Sequence, residues 1–209
     1  MTTSETVAEV APPTQRRRGV ALEDAIRQAV FDELSAVGYT AMSVESVAAR
    51  ARTGKASIYR RWPTKQELVA DALIAGLPAP ADLSLPLPVY DESITTVEAL
   101  HGVARTIAAV ITSPAGAVMR AIKFEALTDP ELARLVDERF HAPRRAAMLG
   151  LLRRGVERGE VRPGADTPLV ADVLPAVLTH RVLMMGEQLG EPELREIMDQ
   201  VVIPLVEVR

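Results

Sequence analysis

Four times in its second half the chain places an oxygen-bearing side chain directly before proline at the head of an apolar run: Ser113-Pro114, Asp129-Pro130, Thr167-Pro168 and Glu191-Pro192. Such an oxygen can accept from the orphan amides of a helix's first turn, and proline's fixed φ suits that turn, where its missing N–H is not needed. Each dipeptide therefore predicts a helix start. The runs that follow reach about Leu127, Arg158, Gly186 and the C-terminus, the last through Leu194, Ile197, Met198, Val201, Val202 and Leu205. Pro143 predicts a kink or break in the second run because its ring blocks one helical hydrogen bond, and Pro175 and Pro204 predict kinks in the other two. Thr95 with Glu98 has the capping-box spacing and opens one more helix, to about Ile111.

Upstream, Leu22, Ile26, Val30, Leu34 and Val37 recur at spacings of three and four, and Gly38 supplies a stop. Ser43 can cap a short helix through Val44, Val47 and Ala48 to Arg50, and Thr53 or Gly54 can start another that ends near Trp62-Pro63. Thr64-Lys65-Gln66-Glu67 is a capping box leading into Leu68, Ala72, Leu73 and Leu77. Nine helices and no convincing period-two alternation predict an all-α chain. Residues 78–90 hold Pro78, Pro80, Pro86 and Pro88 and read as a linker or extended loop near a domain boundary. The first eighteen residues are rich in Thr, Ala and Pro, end in Arg16-Arg17-Arg18, and read as a disordered basic arm.

The chain has no cysteine, which removes disulfide frameworks, thiolate zinc sites, iron–sulfur clusters and cysteine nucleophiles. Charges interrupt every stretch before the ~20 apolar residues of a spanning helix, and Met1–Val10 lacks the pattern of a signal peptide, so a cytoplasmic protein with no membrane partner is expected. The net charge of −4 is unevenly spread. Residues 1–70 carry ten Lys and Arg against eight Asp and Glu, whereas the remainder carries fourteen against twenty. Within Ser43–Lys65 stand Arg50, Arg52, Lys55, Arg60, Arg61 and Lys65 against Glu45 alone. A compact basic patch on an acidic chain points to a local anionic partner, the alternative being a solvated helix face.

Two short helices joined by about three residues, held by a third and framed by basic side chains, describe a helix-turn-helix. The string from Ser43-Val44-Glu45-Ser46-Val47-Ala48-Ala49-Arg50-Ala51 through Arg52-Thr53-Gly54-Lys55-Ala56-Ser57-Ile58-Tyr59-Arg60-Arg61-Trp62-Pro63 to Thr64-Lys65-Gln66-Glu67-Leu68 makes it specific. It resembles the TetR/AcrR family of bacterial transcriptional regulators over roughly Ala21–Leu77. The shared features are the capped second helix with its Val-Ala pair, the Lys-small-Ser-Ile-Tyr third helix, the aromatic residue before proline, and the Thr-Lys-x-Glu-Leu start of helix four.

The resemblance implies DNA contacts at Ser43, Arg52, Thr53, Gly54, Lys55, Ala56, Ser57, Tyr59, Arg60 and Lys65. Ser43 would cap helix two against a backbone phosphate. Lys55, Ala56 and Ser57 would enter the major groove with the first turn of helix three, Lys55 reading a guanine edge or holding a phosphate. Tyr59, Arg60 and Lys65 would lie along the backbone; the competing reading of Tyr59 is core packing. Val47, Ala51, Ile58 and Trp62 are assigned to the small core. The sequence departs from the family where the common turn glycine is Arg52 and the common serine opening helix three is Gly54. A left-handed Arg costs roughly a kcal/mol or more, which leaves either a different turn or Gly54 taking over part of the flexibility. The arm Arg16–Arg18 would reach the minor groove or backbone, or serve only as a solubilising tail.

A nucleotide-binding loop at Thr53-Gly54-Lys55-Ala56-Ser57 fails on spacing: Ala49 stands at the earlier glycine position, Ala56 follows the Lys, and no strand precedes it. His101, His141 and His180 lie on separate helices without metal or catalytic spacing, and Gly186-x-x-x-Gly190 brackets a helix end. No enzyme, cofactor or metal is expected. The resemblance instead implies an N-terminal three-helix DNA-binding domain and a larger C-terminal helical domain for ligand binding and dimerisation, divided as 1–18, 19–66 and 67–209. By the same resemblance the last two helices pair with their twofold mates in a homodimer on a palindromic double-stranded operator, and a small-molecule effector, apolar or amphipathic, releases it. Met119, Met148 and Met184 with His101, Phe124 and His180 are candidates to line its pocket. The alternative is a DNA-binding regulator or architectural protein without an effector, its C-terminal helices only dimerising.

Overall fold

The computed structural model describes residues 19–76 and 93–208. The basic arm and the whole proline-rich linker, with Leu77, lie outside them. Every regular element among the described residues is helical: α1 (Val20–Ala41), α2 (Val44–Arg50), α3 (Lys55–Tyr59), α4 (Lys65–Ala75), α5 (Thr96–Thr112), α6 (Pro114–Ala126), α7 (Pro130–Val136), α8 (Ala142–Glu157), α9 (Pro168–Leu183), α10 (Glu191–Ile197) and α11 (Ile203–Val206). Because α7 runs into α8 and α10 into α11 without leaving helical dihedrals, the described residues form nine rods.

The caps act where the oxygen-bearing residues stand except at Glu191, which is already the first helical residue: Gly190 is the N-cap there, and Glu193 accepts from its amide at 2.9 Å. Ser43, Thr64, Thr95, Ser113, Asp129 and Thr167 each accept from an amide three residues on, and Thr95 with Glu98 closes the reciprocal pair. Thr64 Oγ1 accepts from Glu67 N at 3.1 Å. Gly38 leaves helical geometry at φ 76°, after which one more turn carries α1 to Ala41.

Two of the expected proline breaks take another form. Between α7 and α8 the residues Asp137–His141 form a π turn, with the Ala142 amide donating five residues back to Asp137. Met198–Val202 do the same before Pro204, the Ile203 amide donating to Met198. Each wider turn ends two residues before the proline. Lengthening the hydrogen-bonded ring by one residue absorbs the donor that proline lacks and relieves its clash with the preceding turn, so the rod continues. Pro175 lies inside α9 without ending it.

Two apolar cores organise the rods. The first joins the N-terminal head (Ile26, Val30, Val47, Ile58, Trp62, Leu68) to Val118, Met119 and Ile122 of α6 and Leu132, Val136 and Phe140 of the α7 rod. The second collects α5, α8, α9 and the C-terminal rod around Leu100, Leu152, Leu174, Leu178 and Ile197. No single helix among the described residues is long and apolar enough to cross a membrane; α5 and α6 reach that composition only as a pair bent by 77°. Every buried side-chain nitrogen or oxygen among the described residues has a hydrogen-bond partner.

Candidate DNA interface and effector cavity

The turn between α2 and α3 explains how α3 is presented. Thr53 N donates to Ala48 O at 2.9 Å and Arg52 N to Ala49 O at 3.2 Å. This pair of bonds is the Schellman ending of α2, which needs a left-handed residue just past the cap. Arg52 takes that conformation itself at φ 54°. The turn is kept, and Gly54 (φ −91°) does not take over its flexibility. Ile58 then points into the head against Val47 and Ala51, all buried. Gly54, Lys55, Ala56, Tyr59 and Arg60 are exposed, with Thr53 and Ser57 half-buried beside them. Tyr59 is 46% exposed, so core packing is not its role.

Electrostatically, most of the basic patch is spent inside the head. Arg50 bonds Glu33 at 2.8 Å, Arg61 bonds Glu23 at 3.0 Å, and Lys55 Nζ lies 2.6 Å from Glu45 Oε1. The Glu45 carboxyl is held below its ordinary range by that hydrogen bond, and Lys55 is raised by the same contact. Lys65 is turned inward: its ammonium donates to the Tyr39 carbonyl at 2.5 Å and lies 4.3 Å from the Tyr39 ring centroid, and burial lowers its pKa. Ser43 Oγ is occupied by the Ser46 amide at 3.0 Å. Arg52 and Arg60 remain exposed with no carboxylate partner among the described residues; Arg60 donates only to Ser57 Oγ at 3.3 Å. They and Tyr59 can meet a phosphate without breaking an ion pair.

A second group of bonds ties this head to the rest of the chain. Asp129 caps α7 by accepting from Leu132 N at 3.0 Å, and it also accepts from Gln66 Nε2 at 2.9 Å and Tyr39 OH at 3.2 Å. Those donors, the Leu132 amide foremost, hold the Asp129 carboxyl low, while burial and Asp129 push the Tyr39 hydroxyl up. Thr40 Oγ1 donates to Glu125 Oε1 at 3.0 Å on the end of α6. The end of α1 and the start of α4 are thus fastened to the α6–α7 corner.

Behind that corner lies a cavity of about 480 Å³ between α5, α6, the α7–α8 rod and α9. Met119, Met148, His180 and Met184 are among its walls, with Val103, Ile107, Val110 and Leu151. His101 and Phe124 are not. Inward residues of α5 are Val103, Thr106, Ile107, Val110 and Ile111, and His101 is two residues, about 200°, out of phase with Val103. Phe124 follows the lining residue Lys123 by one position and turns out to solvent, 58% exposed. Sequence reasoning missed the polar part of the lining: Thr106, Lys123, His141, Arg144, Arg145, Asp172 and Thr179. Arg145 pairs with Asp172 at 2.9 Å. Met119 and Phe140 belong both to the cavity wall and to the core that holds the head.

Residues 26–72 match the family described as bacterial regulatory proteins, tetR family, and residues 95–201 match the tetracyclin repressor-like C-terminal domain. The chain is 32% identical over 199 residues to the DNA-binding transcriptional repressor TetR of Mycobacteroides abscessus, covering 90% of this chain and 96% of that one. It is 29% identical over 182 residues to the HTH-type transcriptional regulator YdeS of Bacillus subtilis, covering 87% and 88%. The crystal structure of a TetR-family transcriptional regulator from Mesorhizobium loti superposes with a TM-score of 0.71 at 19% identity, covering 92% of this chain and all of that one, which shows the shared fold. The two matched segments cover the exposed α3 at one end and the cavity at the other; the chain belongs to the TetR family and is a DNA-binding transcriptional regulator.

Proposed function

We propose that this chain is a repressor: a homodimer that sets α3 of each subunit into successive major grooves of a palindromic operator and lets go when a small molecule fills the cavity. The carrying observation is that Met119 and Phe140 are shared between the cavity wall and the core of the head. A ligand that moves them shifts α6 and the Asp129 node, and with it Tyr39 and Gln66 at the base of the head. Only a ligand with different affinities for the two arrangements changes the balance between them.

In this reading Lys55, Ala56 and Ser57 face base edges, and Arg52, Thr53, Gly54, Tyr59 and Arg60 face the backbone. Ser43 and Lys65 support the frame, since their polar atoms are already engaged. Residues 19–66 form the DNA-binding part and 67–209 the regulatory part. Dimerisation uses α9 and the C-terminal rod. Leu169, Val173 and Ala176 follow at helical spacing along α9 and lead to His180 and Met184 at the cavity rim; Leu169 and Met184 are 77% and 61% exposed, and a twofold mate would cover this face.

Selection of bound fragments from random and genomic DNA, followed by salt titration of the winner, tests this. A twofold-symmetric site bound far above background, and released by compounds that raise the protein's melting temperature, is the expected result. Weak, sequence-independent binding with a steep salt slope would favour an architectural protein without an effector.

A further inference from the structure

The cavity's polar groups are unevenly balanced. Among the described residues its one lining carboxylate, Asp172, is engaged by Arg145 through both oxygens at 2.9 and 3.1 Å, which leaves it unavailable to Lys123. Lys123 has no hydrogen bond or ion pair among the described residues, and burial lowers its pKa. The Arg144 guanidinium stacks 3.8 Å from the Phe140 ring centroid and donates to the Phe140 carbonyl at 3.1 Å. Lys123, Arg144 and Arg145 all lie near enough to His141 to oppose its protonation, so the cations cluster; burial, the larger cause, and these neighbours bring the imidazole down to about 4 despite Asp137. His141 is therefore neutral and adds a donor and an acceptor, not a charge. Val103, Ile107, Val110, Met148 and Leu151 supply apolar wall.

Lys123 is half-buried on the wall of a largely apolar cavity with no counter-ion among the described residues, so an anion that enters can pair with its ammonium without displacing another partner. A neutral or cationic occupant would leave Lys123 as it is or add repulsion. We propose that the cavity takes an apolar carboxylate, its head on Lys123 and its hydrocarbon body against Val103, Ile107, Met148 and Leu151. The volume suits a ligand of that size. The proposal deepens the effector reading and depends on it only for operator release; binding is measured without DNA.

The test is calorimetric titration of the full chain with two matched series: decanoate, decanol and decylamine, and 1-naphthylacetate with its corresponding alcohol and amine. In at least one series the acid binds about tenfold or more tighter than its alcohol, the gain typical of a charge-assisted hydrogen bond, and the amine binds most weakly. Lys123→Met removes that preference while leaving alcohol binding unchanged, and Lys123→Arg restores most of it. The proposal is overturned if neither acid is preferred to its alcohol, or if the preference survives in Lys123→Met. An acid that binds this site yet leaves the selected operator bound contradicts the effector reading alone. A neutral compound that releases the operator while no acid is preferred contradicts the carboxylate alone.

Discussion

Replacing Arg52 by glycine should make the protein more stable and a weaker DNA binder at once. Arg52 holds φ 54° because the Schellman ending of α2 demands a left-handed residue there. For an L residue that conformation costs ~1–2 kcal/mol, which glycine removes; glycine's extra freedom in the unfolded chain takes back ~0.4–1 kcal/mol. The Arg52 side chain is exposed and makes no hydrogen bond among the described residues, so its loss subtracts nothing. The net gain is ~0.5–1 kcal/mol, which for a chain of this length raises the melting temperature by ~1–4 °C. Scanning calorimetry at fixed protein concentration reads it. If Arg52 faces a phosphate, the same variant binds the selected operator more weakly and flattens the log affinity against log salt slope by about one unit per subunit. A lower melting temperature would refute the strain argument, and an unchanged slope would refute the phosphate contact.

Glu45→Gln frees Lys55 from its partner 2.6 Å away and removes a negative charge beside the DNA, so operator affinity rises by about threefold in filter-binding titrations. Asp129→Ala removes the α7 cap and the tie to Tyr39 and Gln66; it lowers stability by ~1–2 kcal/mol and reduces the effector-induced drop in operator affinity. Gly116→Ala places a Cβ 2.4 Å from the Val110 carbonyl oxygen and 2.5 Å from that of Ile111, both backbone, and lowers stability by about 3 kcal/mol in urea titrations. His141 is held neutral in the fold, with its pKa lowered from 6.5 to about 4, whereas the unfolded chain takes up a proton near 6.5. Its share of stability is therefore complete above pH 6.5 and is lost as pH falls toward 4, and His141→Gln makes urea midpoints decline less steeply over that window.

The helix starts were legible because a cap is a local device: Ser43, Thr95, Ser113, Asp129 and Thr167 each satisfy an amide three residues away. So was the head's core, since Val47, Ala51, Ile58 and Trp62 repeat at helical spacing. The π turns were not, because a proline announces a lost hydrogen bond but not the longer ring that absorbs it upstream. A charge count along Ser43–Lys65 likewise could not see that Glu23 and Glu33 on α1 come back to neutralise Arg61 and Arg50. The cavity was the least legible. Arg144-Arg145 looks like a solvated pair until α9 brings Asp172 to one and Phe140 stacks on the other. Helical phase could have corrected Phe124, because Lys123 stands four residues after Met119 on one stripe and Phe124 falls about 100° beyond it.

Interference footprinting of the selected operator, with guanine N7 methylation in the major groove and ethylation of the phosphates, shows where α3 of each subunit meets the DNA. A homodimer reading a palindrome gives two major-groove patches related by a twofold axis, roughly 34–36 Å apart, each flanked by the phosphates assigned to Arg52, Tyr59 and Arg60, with the flanking interference weakened by Arg52→Gly. A single patch, or phosphate interference with no major-groove signal, would contradict it.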